Sequence, residues 1–224
     1  MDRNISEVLS TLEQRIQARH LLTHPFYQAW SAGTLSMSAL REYSKQYYRQ
    51  VEAFPTYVSA VHANCPLLPV RQQLLENLLE EERGADNHPE LWLRFAEALG
   101  VHREEVATAA PLPETTALVE TFRTLTRERS YLAGVTALLA YEAQIPEVAA
   151  AKIDGLKRFY GVTDQQGLAF FQVHVQADRY HADTGRQILR EHLVPEQTEE
   201  VLNSCEQALD ALWGMLDGVY ARYC

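Results

Sequence analysis

Apolar residues recur at steps of three and four along almost the whole chain, which is the spacing that places them on one face of an α-helix. Runs that alternate apolar and polar residues between turn signals, the pattern typical of β-strands, are missing from the sequence. The pattern therefore predicts an all-α protein. The predicted helices cover residues 5–22, 36–63, 67–83, 90–100, 114–128, 130–144, 146–159, 164–192 and 196–221.

Prolines and one glycine interrupt this periodicity and predict where helices end. The interruptions are His24-Pro25, Cys65-Pro66, His88-Pro89, Pro111 with Pro113, Gly161 and Pro195. Ser36, Ser38 and Asp164 are predicted helix N-caps, because their side-chain oxygens can accept hydrogen bonds from the first free N–H groups. The sequence contains no Gly/Ser linker, internal repeat or low-complexity tract. Residues 1–224 are therefore predicted to form a single helical bundle.

Composition narrows the possible partners and compartments. The chain has 224 residues, 46% of them hydrophobic, which is ample for a closed core. With 20 Lys and Arg against 30 Asp and Glu, its net charge of -10 disfavours binding to nucleic acid or to anionic lipid. Three widely spaced cysteines predict neither a disulfide framework nor a zinc knuckle and favour a reducing cytoplasm. Without a signal-peptide core or an apolar run of about 18 residues, we expect neither secretion nor membrane insertion.

One predicted helix, 164–192, carries three polar residues on an otherwise apolar stripe. His174, Asp178 and His181 lie at steps of four and three, between Phe171 and Ile188. Burying two imidazoles and a carboxylate is costly unless each finds a partner, and a metal ion would satisfy all three. A solvated polar strip is the alternative interpretation, and for an isolated HxxxDxxH pattern it is the commoner one.

Two further helices each place a lone carboxylate among apolar neighbours, Glu81 in one and Glu142 in the other. His88 follows Glu81 by seven residues, close to two helical turns, although Gly84 predicts a break between them. Each residue alone has an ordinary explanation. Glu81 belongs to an acidic run that would normally face solvent, and Glu142 could pair with an arginine.

Taken together, the polar residues at core positions supply three carboxylates and three imidazoles. They are Glu81, His88, Glu142, His174, Asp178 and His181. Six oxygen and nitrogen donors are enough for two metal ions, and a donor set without thiolate suits iron or manganese. Ferritin-like di-iron bundles space their ligands as Glu-x-x-His. That spacing is absent at these positions, which predicts a bundle of another lineage.

These motifs resemble the haem-oxygenase-like di-metal oxidases over essentially the whole chain. The segments that carry the resemblance are E-x6-H at 81–88, YEAQIPEV around Glu142 and HxxxDxxH at 174–181. THPFYQAW, LLEEERG, AKIDGLKRFYG and FFQVHVQADRYH are similar to the subgroup of the chlamydial protein associating with death domains. All six ligand positions of the family are matched. The resemblance implies a TenA/PqqC-like bundle of about seven helices, with a di-iron or iron–manganese centre that activates dioxygen using an external reductant.

Members of this subgroup are linked to making p-aminobenzoate for folate, with the aromatic ring taken from the protein's own tyrosine. The resemblance implies that Tyr27 donates the ring, that Tyr43 is a redox partner and that Lys152 donates the nitrogen. Spacing alone assigns them no such role, because a tyrosine at helical spacing ordinarily packs in the core and a lysine near a glycine is ordinarily solvated. Among the ligands, we expect Glu142 to lie between the metals, Glu81 and His88 to hold one, and the trio on 164–192 to hold the other.

Other functions remain open at this point. Thiaminase-type relatives use a cysteine in mid-chain, and YLAGVTALLAYEAQ, where we would look for it, has none. The cofactorless PqqC-like oxidases need no metal, which would leave six converging ligands unexplained. A di-metal oxidase acting on an external small substrate would share all six ligands. An interaction protein is a further alternative, and a pure adaptor would not need stoichiometric iron. By resemblance to the family we also expect a homodimer.

Overall fold

The computed structural model describes residues 4–224, and its regular elements within that range are helices, with no β-strand. The all-α prediction is therefore confirmed. Eleven α-helices make up the described residues: α1 (Ile5–Ala18), α2 (Pro25–Ala32), α3 (Met37–Asn64), α4 (Leu68–Glu82), α5 (His88–Ala98), α6 (Arg103–Thr108), α7 (Pro113–Arg127), α8 (Tyr131–Glu142), α9 (Ile145–Phe159), α10 (Gln165–His192) and α11 (Thr198–Tyr223). Short 3₁₀ turns occupy Leu21–Thr23 and Pro195–Gln197.

The expected number of about seven helices is too low, because short helices lie between the long ones. The predicted helix 5–22 ends at Ala18 and is followed by a 3₁₀ turn, while α2 and α6 were not predicted. Ser36 and Asp164 cap α3 and α10 as expected, whereas Ser38 lies inside α3. Residues 1–3 of the predicted domain lie outside the described part of the chain. Within residues 4–224, no helix combines the length and apolar character needed to cross a membrane.

Pro25 begins a helix where the sequence pattern predicted an end. Proline is favoured at the first helical position, because its missing N–H would have no partner there and its φ angle already suits the helix. His24 caps this helix, its Nδ1 accepting a hydrogen bond of 3.0 Å from the Phe26 N–H. Its Nε2 donates to Asp217 on α11 at 3.0 Å. Helix α2 is thus fixed to the bundle at its first turn, and it carries Tyr27.

Helix α8 lies at the centre of the bundle. Every residue from Leu132 to Glu142 is buried, and the helix packs against α3, α7, α10 and α11. A helix surrounded on all sides has no polar face, which explains the continuous apolar sequence of this segment. Its last residue, Glu142, is therefore carried into the interior.

The break between α4 and α5 is present, and it brings the two candidate ligands that flank it together. Gly84 adopts a positive φ of 79°, which is strained for other residues, and reverses the chain after Glu82. The side chain of Asn87 then caps α5 by accepting from the Glu90 N–H at 3.0 Å. His88 is the first residue of α5, and the loop turns it back towards Glu81.

A close contact between α2 and α9 brings Tyr27 near Lys152. Trp30 of α2 lies against Gly155 of α9, and its Nε1 donates to the Lys152 carbonyl at 3.3 Å. A Cβ placed on Gly155 would lie 2.6 Å from Cδ1 and 2.7 Å from Nε1 of Trp30. The absence of a side chain at 155 is therefore what allows the two helices to approach.

We expect Gly155→Ala to lower the free energy of unfolding by about 1–3 kcal/mol, the usual cost of overpacking a filled core. Gly214→Ala is the matched control, since a Cβ there has no neighbour within 4 Å. It should raise stability by roughly 0.5–1 kcal/mol, because alanine favours the helix over glycine. Urea unfolding of both variants checks this. Equal effects in the two would contradict the close packing of α2 on α9.

Candidate metal centre

The six candidate ligands come together as two groups of three. Glu81, His88 and His174 form the first triad. Glu142, Asp178 and His181 form the second triad. Within each triad the potential ligand atoms lie within 4.8 Å of one another, and all six residues are buried. Four helices supply them, α4, α5, α8 and α10.

The division between the triads differs from the expected one. The three candidate ligands of α10 do not hold one metal together, since His174 joins the first triad while Asp178 and His181 join the second. The reason is helix geometry. Seven residues rise about 10 Å along a helix, so His174 and His181 lie at opposite ends of the polar stripe and each reaches the triad at its own end. Helix α10 therefore runs past both triads and supplies ligands to each of them.

In the first triad, a backbone carbonyl fixes one imidazole. Nδ1 of His174 lies 2.6 Å from the Phe170 carbonyl oxygen. A carbonyl can only accept, so Nδ1 donates its proton and Nε2 remains available as a ligand. Burial holds the pKa of His174 well below its usual range, which keeps the ring neutral. His88 lies beside it with ring centroids 4.3 Å apart.

In the second triad, the imidazole lies between two carboxylates. Nδ1 of His181 is 3.5 Å from Asp178 Oδ1 and 3.7 Å from Glu142 Oε1. Asn77 of α4 donates from Nδ2 to Glu142 Oε1 at 2.7 Å and so holds one oxygen of that carboxylate in place. Asn77 was not predicted, although it precedes Glu81 by one helical turn and shares its buried face.

Several buried polar atoms of the triads have no hydrogen-bond partner. They are Asp178 Oδ2, both nitrogens of His181, and Nδ1 of His88, whose 2.8 Å contact with Glu81 Oε2 lacks hydrogen-bond angles. Buried polar groups in proteins are nearly always paired. A cation in each triad would satisfy these atoms, and three carboxylates with three imidazoles suit iron or manganese. The residues present therefore fit a pair of metal ions.

The pKa values of the second-triad residues also favour the binding of a cation. Burial raises the pKa of Glu142 to about 7 and that of Asp178 to about 6. Burial alone would lower the pKa of His181, but the neighbouring carboxylates raise it to about 9. Near neutral pH, protons therefore neutralise part of the buried negative charge. A bound metal ion would displace them, as it generally does when its ligands deprotonate.

Tyr27, Tyr43 and Lys152 form a second buried cluster. The Tyr27 and Tyr43 hydroxyls are 3.0 Å apart, and Lys152 Nζ donates to the Tyr43 hydroxyl at 2.7 Å. Lys152 is only 3% exposed, so the solvated position that is usual for a lysine near a glycine does not apply here. The contact of Gly155 with Trp30 instead carries this part of α9 inward. The structure thus brings all three residues together from α2, α3 and α9.

Aromatic rings enclose the Lys152 amine. Six ring centroids lie within 6.0 Å of Nζ, those of Tyr27, Trp30, Tyr43, Tyr47, Trp92 and Phe171. Ring faces attract an ammonium ion, yet within residues 4–224 burial is the only influence that shifts the pKa of Lys152, with no contribution from a carboxylate. Burial therefore dominates and lowers the pKa of Lys152 to about 7. A large fraction of the amine is neutral at physiological pH.

Two further tyrosines join this cluster to the first triad. The rings of Tyr43 and Tyr47 are 5.3 Å apart, and the Tyr47 hydroxyl donates to that of Tyr141 at 2.9 Å. Tyr141 precedes Glu142 and lines a small cavity together with Glu81, His88 and His174. Sequence reasoning missed both residues. The available signals were the one-turn spacing from Tyr43 to Tyr47 and the adjacency of Tyr141 to a ligand.

Little free space adjoins the triads. A cavity of about 20 Å³ beside Glu142 and His181 is lined by α4, α8 and α10. Another of about 10 Å³ lies beside Glu81, His88 and His174. Each has room for about one water molecule.

Comparison with known proteins gives one consistent result. Residues 41–213 match the family model described as "Iron-containing redox enzyme". A 4-aminobenzoate synthase from Nitrosomonas europaea is 46% identical over 219 residues, which cover 93% of this chain and 89% of that protein. A 4-aminobenzoate synthase from Chlamydia pneumoniae is 42% identical over 208 residues, covering 93% and 92%.

The fold is also shared with solved structures. A TenA homologue from Pseudomonas syringae pv. tomato superposes with a TM-score of 0.82 at 18% identity, covering 96% of this chain and 92% of that one. At this identity the likeness shows the fold alone, which agrees with the expected TenA-like bundle. With a family model that spans most of the chain and relatives above 40% identity, the chain belongs to the haem-oxygenase-like family of iron-containing redox enzymes.

Proposed function

We propose that this protein is an oxygen-dependent two-metal oxidase that makes 4-aminobenzoate, the compound also called p-aminobenzoate, from its own Tyr27. The observation that carries the proposal is the buried contact of Tyr27, Tyr43 and Lys152, which Tyr47 and Tyr141 connect to the first of two triads of candidate metal ligands. The names of the Nitrosomonas and Chlamydia relatives support the product.

The atoms of the proposed substrate match those of the product. The tyrosine side chain has six ring carbons and a Cβ, and 4-aminobenzoate has six ring carbons and a carboxyl carbon. Conversion requires that the Cα–Cβ bond breaks and Cα takes a hydrogen, that dioxygen oxidises Cβ to the carboxylate, and that nitrogen replaces the phenol oxygen, which leaves as water. Transfer of the nitrogen from lysine breaks its Cε–Nζ bond. Lys152 offers the amine, because Nζ lies 5.2 Å from the centroid of the Tyr27 ring.

Two metal ions, iron with iron or iron with manganese, would occupy the triads. When bound and reduced by an external donor, they supply the oxidising power of activated dioxygen, which amino-acid side chains lack. The protein's own part is to orient the ligands in a closed interior. Phe170 and Asn77 do so through their contacts with His174 and Glu142.

The tyrosines would connect the centre with the substrate. Oxidising a phenol removes an electron and a proton together most easily when a hydrogen-bond acceptor is in contact. Tyr27 has the Tyr43 hydroxyl at 3.0 Å, and burial raises the pKa of Tyr27, so its proton stays in place until oxidation. The ring contact of Tyr43 with Tyr47 and the hydroxyl contact with Tyr141 continue the route towards the first triad.

The small cavities at the triads favour an internal substrate over an external one. Volumes of about 20 and 10 Å³ do not admit an aromatic or fatty-acid substrate without rearrangement of the bundle. A residue already packed in the core needs no such space. Because the reaction would consume Tyr27 and the amine of Lys152, each chain would form about one molecule of product.

Tyr27→Phe should reduce the product to background while leaving both metals bound, since it removes the phenol and keeps the packed ring. Intact-protein mass spectrometry after reduction and exposure to oxygen should show loss of the hydroxybenzyl group only in the unaltered protein. Tyr57→Phe is the control, because Tyr57 is equally buried and makes only long hydrogen bonds of 3.3 and 3.4 Å on another face of α3. Product from Tyr27→Phe would exclude Tyr27 as the ring donor.

The rate of the single turnover should rise with pH from 6 to 8. The pKa of Lys152 is lowered to about 7, so its amine gains its nucleophilic neutral form as pH rises through that value. The neutral fraction grows from about one tenth to about nine tenths over this range. Product release from metal-loaded protein is measured at each pH, with bound metal quantified in the same samples. A flat or falling rate at constant metal content would contradict the role of Lys152.

Single substitutions should empty the triads separately. We expect His88→Ala and His181→Ala each to retain about one metal ion per chain where the unaltered protein holds two, because each removes a ligand from a different triad. Metal analysis by mass spectrometry after anaerobic loading with iron and manganese checks this, with His62→Ala on α3 as the control. Loss of both metals in either variant would mean that the triads bind as one unit.

A further inference from the structure

Helix α4 contacts both triads with residues of its last full turn, between positions 77 and 81. Glu81 is a member of the first triad, while Asn77 and Glu80 reach the second. Asn77 holds Glu142, as described above. Glu80 belongs to the acidic run that would ordinarily face solvent, and its side chain is 47% exposed. Its carboxylate nevertheless reaches inward to a buried imidazole.

The two nitrogens of His181 face different surroundings. Nδ1 lies among the second-triad carboxylates, 3.5 Å from Asp178 and 3.7 Å from Glu142. Nε2 points the other way and lies 3.2 Å from Glu80 Oε2. The His181 side chain itself is 2% exposed. The nitrogen available to a metal in the second triad is therefore Nδ1, and the outward nitrogen has a carboxylate beside it.

A neutral imidazole carries one proton on one of its two nitrogens. A carboxylate can only accept, so Glu80 favours the form of His181 with the proton on Nε2 and the lone pair on Nδ1. In the first triad, His174 Nδ1 donates a hydrogen bond to the Phe170 carbonyl at 2.6 Å, whereas the 3.2 Å contact of His181 Nε2 with Glu80 lacks hydrogen-bond angles and is a charge contact. His174 and His181 thus each have one nitrogen towards a triad and the other beside an oxygen atom that can only accept. The acceptor is backbone in one triad and a side chain in the other.

We infer that Glu80 is a positioning residue that fixes the tautomer and ring orientation of His181 and so sets the metal affinity of the second triad. The inference rests on the two-metal site of the proposed function and not on the identity of the product. Because Glu80 is half-exposed, a change at one surface carboxylate would alter the metal affinity of the buried second triad.

Three variants separate this role from general electrostatics. Glu80→Ala removes the acceptor and the charge, Glu80→Gln removes the charge but keeps a carbonyl acceptor, and Glu76→Ala removes a charge one turn earlier on the same helix. Glu76 is exposed. Zn²⁺ serves as the probe, titrated into metal-free full-length protein against a competing chelator, so the measurement does not depend on turnover.

For the unaltered protein we expect two bound Zn²⁺ per chain. In Glu80→Ala the affinity of one site should fall about 10–100-fold, the usual effect of losing a group that orients a metal ligand, and the other site should be unchanged. Glu80→Gln should keep much of the affinity, and Glu76→Ala all of it. Histidine ¹⁵N spectra of the Zn²⁺-loaded protein should show His181 protonated at Nε2 in the unaltered protein and in Glu80→Gln.

The outcomes are distinguishable. Two Zn²⁺ sites with the same affinities in Glu80→Ala as in the unaltered protein would overturn the inference and leave the proposed function standing. An equal loss at both sites, an equal loss in Glu76→Ala, or protonation of His181 at Nδ1 would also overturn it. Fewer than two sites in the unaltered protein would overturn the two-metal proposal and this inference together.

Discussion

The structure depends on keeping ionisable groups away from water. Three carboxylates, three imidazoles and a lysine amine lie in the interior of the bundle, where an unpaired charge is far more costly than at the surface. Hydrogen bonds satisfy only part of this set, and the rest requires either shared protons or bound cations. The closed helical core, the central position of α8 and the inward turn at Gly84 all serve to bring these groups together without solvent.

The interior is divided into two chemical environments. The triads are rich in oxygen and nitrogen donors and lie where α4, α5, α8 and α10 meet. The lysine is surrounded by aromatic rings and has a phenol, not a carboxylate, as its hydrogen-bond partner. A cation is favoured in the first environment and disfavoured in the second. Within one core, the triads therefore favour a bound cation, whereas the surroundings of Lys152 favour a neutral amine. The tyrosines lie between these two environments.

Periodicity and residue chemistry were sufficient to predict the helical bundle and the six candidate ligands. A buried carboxylate or imidazole on an apolar stripe is visible in sequence, because helical spacing alone determines which face it occupies. The grouping into triads was not visible, since it depends on the rise along α10 and on how α4 and α5 meet. Helix α2 was missed because Pro25 can begin a helix as well as end one. Tyr47, Asn77 and Glu80 were missed because their roles depend on partners from other helices.

The tight packing around Tyr27 has a consequence for the life of the molecule. Tyr27 is 2% exposed, with Phe26, Trp30 and Tyr43 against it. If its side chain leaves as product, the spent chain retains an empty volume in its core. Deleting a buried aromatic side chain typically costs about 3–5 kcal/mol, a large part of the stability of an ordinary domain. Spent molecules would unfold more often than fresh ones, and cellular proteases would remove them selectively.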